Sequence, residues 1–270
     1  MDKNSSAKYA MKSNMDVLLQ EVLDILEADD GKSFEEKKAA AVRHLQAAAA
    51  PSLAETMVDV AKSDVEGAQI KKHFWSFGKI ECKDYGIILR EIEDRDREGY
   101  LVLQHKYSLA KSMLKEETYC DMVWNEHRGN KTLNLSIGKG GNYVGYCGIN
   151  NITKKPWEIA IELHPDWTNK GVGRHAIAAM LDAISARLGE TEYKIKIDPA
   201  NYPSQKLFEK LGAVPDCIAE LFLHDPEAIE RCEDENLHLI DAKLMEVAAK
   251  FSVAPRKLLS HVLVYKLKWE

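Results

Sequence analysis

The sequence predicts an α/β (α+β) fold, in which helices flank a mixed, mainly antiparallel sheet and an N-terminal helical bundle precedes that sheet. Apolar residues recur at helical spacing before residue 80. Strand-like runs then follow one another across short polar turns, and after residue 170 helical and strand patterns alternate. We therefore expect a helical region over residues 1–80 and a sheet-containing domain over residues 81–270.

The N-terminal region is predicted to be a small bundle because it repeats the signals of a helix start. Ser33-Phe-Glu-Glu36 and Ser52-Leu-Ala-Glu55 fit the capping-box pattern, and Pro51 ends the helix between them. No residue pattern in this region points to chemistry. We expect it to serve packing or homodimerisation.

The sheet-containing domain divides into a meander and an alternating half. Short turns between the early strands indicate antiparallel neighbours, because a parallel pair needs a long crossover. The expected strands are 87–92, 132–137, 143–149, 157–163, 193–197, 214–223 and 261–269. The expected helices are two within 94–126, one at 171–188, one at 201–211, and a helical insert over about 225–258.

Composition limits the class of protein. The 270 residues carry a formal net charge of -6, with 45% hydrophobic residues, so a globular core is available and no basic surface for nucleic acid is expected. No run reaches the roughly 20 apolar residues of a membrane span, and residues 1–14 are too polar for a signal peptide. Five cysteines without metal-ligand spacing indicate free thiols and no metal site. We expect a cytoplasmic protein.

One stretch of the sequence, residues 161–176, points to an anion-binding site. It reads as a strand, a loop with Gly171 and Gly173, and then an amphipathic helix. The start of a helix presents unpaired N–H groups and the positive end of the helix dipole, and glycine lets the backbone approach a ligand closely. Lys170 and Arg174 could add positive charge. A pyrophosphate suits such a site.

Two other interpretations of this stretch remain open. Gly171-Val-Gly173-Arg-His-Ala176 matches the dinucleotide fingerprint, and Asp198 ends the next strand where a ribose-binding acid belongs. Against a nicotinamide site, seven residues separate the predicted strand from the first glycine, and the preceding strands form a meander. A purely structural loop is the second alternative.

Two motifs in order resemble the GNAT superfamily of N-acetyltransferases. Thr168-Asn-Lys-Gly171-Val-Gly173, preceded by Pro165, is similar to (Q/R)-x-x-G-x-(G/A), and Asn201-Tyr-Pro-Ser204-Gln-Lys-Leu-Phe208-Glu-Lys-Leu-Gly212 is similar to N-x-x-S-x-x-L-(Y/F)-E-K-L-G. The resemblance covers about 85–223 and the last strand, and it is closest to the branch that acetylates ribosomal proteins and small amines.

This resemblance implies that acetyl-CoA is the cosubstrate and that its acetyl group passes directly to a primary amine of a small molecule or a protein N-terminus. A longer acyl-CoA donor, or a non-catalytic sensor or interaction module that binds acyl-CoA, remains an alternative. The residues implied to bind acetyl-CoA are Ile161, Glu162, Leu163, Asn169, Lys170, Gly171, Val172, Gly173, Arg174, Asn201 and Ser204. In the family, the strand at 161–163 bulges and splays from its neighbour, which frees backbone N–H groups for the pantetheine arm and the acetyl carbonyl.

The catalytic residues are less clearly marked. An ammonium acceptor must lose a proton before it attacks, and a carboxylate can take that proton. Glu158 is ranked first for this role, followed by Glu162 and Asp198, although each of them also fits a capping or solvated carboxylate. Phe208 stands where many family members have a Tyr that protonates the departing thiolate, so the general acid is open.

The predicted insert is strongly acidic. Within residues 225–241, seven acidic residues stand against one basic residue, Arg231; the acids are Asp225, Glu227, Glu230, Glu233, Asp234, Glu235 and Asp241. One hypothesis is that these residues lie near the acceptor cleft and favour a cationic amine. A solvated acidic helix is the alternative.

Overall fold

The computed structural model describes residues 51–108, 110–220 and 224–270, together with the single residues 31, 36, 40 and 43. Most of the predicted N-terminal bundle, with its first helix start at Ser33, lies outside the described residues. The chain divides into two compact units between Val65 and Glu66, and every element after the first described helix belongs to the second unit. The predicted division at residue 80 stays a prediction.

The second unit is built around one eight-stranded sheet. Its strands are β1 (Ile80–Cys82), β2 (Ile87–Glu91), β3 (Leu133–Lys139), β4 (Asn142–Ile149), β5 (Trp157–Leu163), β6 (Glu192–Ile197), β7 (Val214–Glu220) and β8 (His261–Lys268). The described helices are α1 (Pro51–Trp75), α2 (Arg97–Tyr107), α3 (Glu117–Arg128), α4 (Val172–Leu188), α5 (Tyr202–Glu209), α6 (Pro226–Glu235) and α7 (Ala242–Phe251). None of these described helices is long and apolar enough to cross a membrane.

The strand order is β1-β2-β3-β4-β5-β6-β8-β7. Every neighbouring pair is antiparallel except β5 and β6, which are parallel. The parallel pair follows from the connection, because α4 supplies the long crossover that parallel strands need. The prediction of a mixed, mainly antiparallel sheet flanked by helices is confirmed.

One strand was missed by the sequence analysis. Residues 15–80 show helical spacing, yet Ile80–Cys82 forms β1 at the edge of the sheet and pairs with β2. Three residues are too few to show an alternating pattern of their own, so their strand conformation depends on the pairing with β2.

The two faces of the sheet carry separate apolar clusters. Ile177 and Leu181 of α4 pack in the larger cluster against one face, together with Cys147 of β4. Tyr100 of α2 and Trp124 of α3 pack on the other face against Tyr146 of β4. Neighbouring residues of β4 therefore point into different clusters, as expected for a strand that is covered on both sides.

The C-terminal half of α1, from Glu66 onward, belongs to the second unit and contacts the end of α3 through polar contacts and a close approach. The Lys71 ammonium donates hydrogen bonds to the carbonyls of Arg128 (2.8 Å) and Gly129 (2.9 Å) at the C-terminal end of α3. A Cβ atom at Gly67 would lie 2.0 Å from the carbonyl oxygen of Asn130. Only glycine allows the helix to lie this close to the backbone at the end of α3.

Replacing Gly67 with Ala is expected to destabilise the protein by about 1 kcal/mol. Alanine in a helix interior favours folding by about 1 kcal/mol, but overpacking against a fixed backbone costs about 2 kcal/mol, so the steric effect is the larger one. Urea denaturation of Gly67→Ala, beside Gln69→Ala at an exposed position of the same helix, measures the difference. A Gly67→Ala variant more stable than the wild type would show that Asn130 moves aside freely.

Candidate active site

The strand pairing opens a gap between β5 and β6. The ladder between β4 and β5 runs without a register shift from Ile149↔Ile159 to Gly145↔Leu163. The ladder between β5 and β6 contains only two pairs, Trp157↔Tyr193 and Glu158↔Lys194. The strands β5 and β6 therefore separate beyond Glu158. The bulge expected in β5 is absent from this described strand, because the pairing of β5 with β4 shows no register shift.

Hydrogen bonds at both ends of β5 show which backbone groups face the gap. The N–H of Asn150 donates to the Glu158 carbonyl (2.9 Å), and the N–H of His164 donates to the Val144 carbonyl (3.0 Å). Because backbone direction alternates in an antiparallel ladder, even-numbered residues of β5 face β4 and odd-numbered residues face β6. Among the three predicted backbone ligands, Ile161 and Leu163 thus lie on the open side. Glu162 directs its backbone to β4.

The start of α4 presents unpaired donors. Gly171 precedes the helix in the left-handed conformation (φ 79°), which favours glycine, and no side chain caps the helix there. The first backbone bond of the helix runs from the N–H of His175 to the Gly171 carbonyl (3.2 Å). The N–H groups of Val172, Gly173 and Arg174 consequently have no partner within the helix.

Close packing brings this helix start to the open end of β5. A Cβ atom at Gly173 would lie 3.3 Å from Cδ1 of Ile161 and 3.4 Å from Cδ1 of Leu163. Asn169, Lys170 and Arg174 are exposed around the helix start. The free donors of the helix and the open backbone of β5 therefore lie at the same end of the sheet.

The second predicted motif forms the start of α5. Oδ1 of Asn201 accepts a hydrogen bond from the N–H of Ser204 (3.2 Å), so Asn201 caps this helix. Phe208 is 1% exposed and packs in the larger apolar cluster. Its ring has no acidic proton and no opening to solvent, so this position cannot supply a general acid.

Glu158, near the start of β5, and Asp198, directly after β6, already have hydrogen-bond or ion-pair partners. Glu158 lies 3.3 Å from the Lys196 ammonium and 3.8 Å from the Lys194 ammonium, and it accepts a hydrogen bond from the Asn150 amide (3.0 Å). Asp198 is exposed and accepts a hydrogen bond from the N–H of Ala200 (2.8 Å). The Glu158 carboxylate is therefore engaged in ion pairs with two lysines of β6.

Glu162 occupies a different environment. It accepts a hydrogen bond from the Gln104 amide (3.1 Å). Burial raises the pKa of its carboxyl, and the nearby Tyr146 hydroxyl and Gln104 amide act in the opposite direction. Among the residues whose side chains the structure describes, none forms an ion pair with it. A carboxylate with a raised pKa and no cationic partner accepts a proton near neutral pH more readily than a paired one.

The side chains that contact Glu162 were missed by the sequence analysis. Tyr146 lies directly opposite Glu162 in the ladder between β4 and β5, and Gln104 lies on α2. The alternation in 143–149 could have indicated the face of Tyr146. The register that brings it to Glu162, and the position of α2, depend on tertiary packing.

The acidic insert consists of α6 and α7, which lie between β7 and β8 in the chain. The hypothesis that Glu233 attracts a cationic amine is wrong, because its side chain is 1% exposed. The Glu233 carboxylate accepts hydrogen bonds from Arg256 (2.9 Å), Lys257 (2.9 Å) and Ser260 (2.8 Å). Asp234 also pairs with Arg256 (2.9 Å). These two acids hold α6 to the segment before β8.

Comparison with known proteins agrees with this architecture. Residues 87–214 match the family model described as the acetyltransferase (GNAT) domain. The N-acetyltransferase 9-like protein of Nematostella vectensis is 25% identical over 138 residues, which cover 49% of this chain and 68% of that protein.

Similar solved structures have low sequence identity. RimJ of Mycobacterium smegmatis, solved in complex with CoA-disulfide, is 16% identical with a TM-score of 0.47, and the match covers 71% of this chain and 86% of that chain. The ribosomal-protein-S5-alanine acetyltransferase of Vibrio fischeri is 14% identical with a TM-score of 0.45, covering 71% and 98%. On the family match, residues 87–214 belong to the GNAT acetyltransferases.

Proposed function

We propose that this protein is an N-acetyltransferase that moves the acetyl group of acetyl-CoA directly to a primary amine of a small molecule or a protein N-terminus. The observation that carries the proposal is the position of Glu162. This half-buried carboxylate lies on β5, the strand whose open backbone lies beside the free donors of α4.

The residues present fit acetyl-CoA. The N–H groups of Val172, Gly173 and Arg174 suit a pyrophosphate, and Lys170 adds a positive charge at the exposed loop. The backbone of Ile161 and the N–H of Leu163 are available for the amides of the pantetheine arm, because the ladder with β6 ends before these residues. When bound, acetyl-CoA supplies an acetyl thioester, the carbon of which the amine attacks.

The acceptor amine requires a proton acceptor. At neutral pH a primary amine is mostly an ammonium ion, which cannot attack a carbonyl carbon until it loses a proton. Glu162 is the candidate that the contacts favour, because Glu158 forms ion pairs with two lysines and Asp198 caps a turn. We assign to Glu162 the removal of this proton, either directly or through one water molecule.

A non-catalytic module that binds acyl-CoA is the second candidate. The buried Phe208 favours it, because the position that carries a proton-donating Tyr in many family members has no donor here. Turnover separates the two candidates, since a binding module releases no free CoA when an amine is added.

The test combines binding and turnover. Calorimetric titration with acetyl-CoA is expected to show binding, with NADH as the control for a nicotinamide site. Release of CoA with a panel of polyamines, amino acids and N-terminal peptides then identifies the acceptor class. Binding of NADH instead of acetyl-CoA would overturn the proposal. Acetyl-CoA binding without turnover on any amine would favour the non-catalytic module.

Reversing the charges at the start of α4 is expected to weaken acetyl-CoA binding. The double variant Lys170→Glu/Arg174→Glu places two negative charges beside the predicted pyrophosphate, and the expected loss of affinity is about 10–100-fold at low salt. Both side chains are exposed, so the stability of the fold should not change. Lys210→Glu is the control, because Lys210 lies at the C-terminal end of α5. Equal affinities in the two variants would place the phosphates elsewhere.

A further inference from the structure

We propose that Gln104 and Tyr146 are positioning residues that hold the Glu162 carboxylate in one orientation for proton transfer. The proposal rests on the proposed function, because it assumes that Glu162 receives the proton of the amine. Gln104 donates a hydrogen bond to Glu162 (3.1 Å), and Tyr146 lies directly opposite Glu162 in the ladder between β4 and β5, where its hydroxyl favours the ionised carboxylate. They reach it from two different elements, α2 and β4.

Tyr146 is fixed by packing as well as by register. It is 9% exposed, and its ring contacts His127 at 4.5 Å and Tyr100 at 5.9 Å between ring centroids. In the ladder between β4 and β5 it lies directly opposite Glu162, so both side chains point to the same face of the sheet. The hydroxyl of Tyr146 therefore has little freedom to turn away from the carboxylate.

Gln104 is fixed because α2 is attached to the end of β5. One turn further along α2, the hydroxyl of Tyr107 donates a hydrogen bond to the carbonyl of Leu163 (3.1 Å). Tyr107 and Gln104 are three residues apart on the helix and point to the same side. The amide of Gln104 thus approaches Glu162 from a helix whose position over β5 is already set.

The other titratable side chains that face Glu162 are uncharged near neutral pH. Tyr100 and Tyr107 face it from α2, and Tyr143 faces it from β4; burial raises the pKa of all three hydroxyls. Burial lowers the pKa of the neighbouring His127 to about 3, so its ring is uncharged at neutral pH.

The charged groups nearest to this cluster are paired with other residues. Asp96, which lies near Tyr143, is bound by Arg90 (2.6 Å), and the lysines of β6 contact Glu158. Gln104 and Tyr146 therefore stabilise the ionised form of Glu162, whereas burial disfavours it. Removing either donor should make the carboxyl retain its proton to a higher pH.

The experiment measures the titration of Glu162 directly and through turnover. Protein labelled with ¹³C at the glutamate carboxyl carbons is titrated by NMR, and Glu162→Gln identifies the signal. Tyr146→Phe keeps the ring and removes only the hydroxyl, and Gln104→Met removes the amide with a similar shape. In each variant we expect the pKa of Glu162 to rise by about one unit, because each substitution removes a polar group that favours the charged carboxylate.

Turnover gives the second readout. The acidic limb of kcat/KM against pH should shift upward by the same amount in each variant, since this limb reports the free enzyme. The KM for acetyl-CoA should stay unchanged, and Val102→Met, at an exposed position of α2, should show no shift. An unchanged Glu162 titration in both Tyr146→Phe and Gln104→Met overturns the proposal.

The two proposals fail in distinguishable ways. If Glu162→Gln retains full turnover, the assignment of Glu162 as proton acceptor fails, and positioning by Gln104 and Tyr146 fails with it. If Glu162→Gln is inactive while both donor variants titrate and turn over like the wild type, only the positioning proposal fails.

Discussion

Glu162→Gln is expected to lower the rate of acetyl transfer at pH 7 by about 10²–10⁴-fold, the range that general base catalysis contributes. Glutamine has nearly the shape of glutamate but cannot accept a proton from the ammonium ion. The affinity for acetyl-CoA should not change, because the groups assigned to its phosphates and pantetheine are backbone donors and the side chains of Lys170 and Arg174. Steady-state release of CoA and calorimetry measure the two quantities separately.

The pH dependence of this variant provides an internal check. Its activity should recover as the pH approaches the pKa of the acceptor amine, because the amine then loses its proton to water. A loss that stays constant up to high pH would show that Glu162 acts on the structure of the site rather than on a proton.

Glu158→Gln is the matched control, because it makes the same substitution at the other glutamate on this face of β5. We expect a smaller loss of activity, since Glu158 contacts Lys194 and Lys196 rather than Gln104 and Tyr146. A larger loss in Glu158→Gln than in Glu162→Gln would restore the ranking that the sequence alone suggests.

The fold was largely predictable because most elements carry their own pattern. The predicted strand 157–163 coincides with β5, and the predicted helix 171–188 differs from α4 by one residue at its start. Apolar spacing marks both elements, and local residues mark where they begin, with Pro156 before the strand and Gly171 before the helix. β1 was missed because its conformation depends on pairing with β2, which local spacing does not encode.

The candidate site was predictable only in part. The helix start at Gly171 is marked by local sequence, and the structure places its free donors beside β5. The choice between Glu158 and Glu162 as the proton acceptor was not predictable from the sequence, because it depends on neighbours that are distant in sequence. Lys196 reaches Glu158 across a parallel ladder, and Gln104 reaches Glu162 from a helix 58 residues earlier.

The acidic insert also shows that a pattern of charges in the sequence does not predict the environment of each charged residue. Seven acids in one segment suggested an attraction for cations, but composition cannot show which acids are buried. Glu233 is enclosed and bound by groups from the segment just before β8. Its role is therefore to close the insert onto the domain, whereas other acids of α6, such as Glu227 and Glu235, remain exposed.

Glu233→Gln is expected to destabilise the protein by about 2 kcal/mol at pH 7. The substitution removes the negative charge from a buried site and leaves Arg256 and Lys257 facing a neutral amide. These two cations are partly exposed, so solvent compensates some of the loss. Urea denaturation measures the change, and Glu235→Gln, exposed on the same helix, should have little effect.

The pH dependence of this difference tests its electrostatic origin. Hydrogen bonds from Lys257, Arg256 and Ser260 outweigh the effect of burial and lower the pKa of Glu233 from 4.5 to about 2. A carboxyl whose pKa is lower in the folded state stabilises that state above its unfolded pKa, and this contribution is lost as the pH falls toward the folded pKa. The stability gap between the wild type and Glu233→Gln should therefore be constant from pH 7 to about pH 5, shrink below 4.5 and approach its minimum near pH 2. A gap that does not change over this range would mean that Glu233 stabilises the insert through its shape rather than its charge.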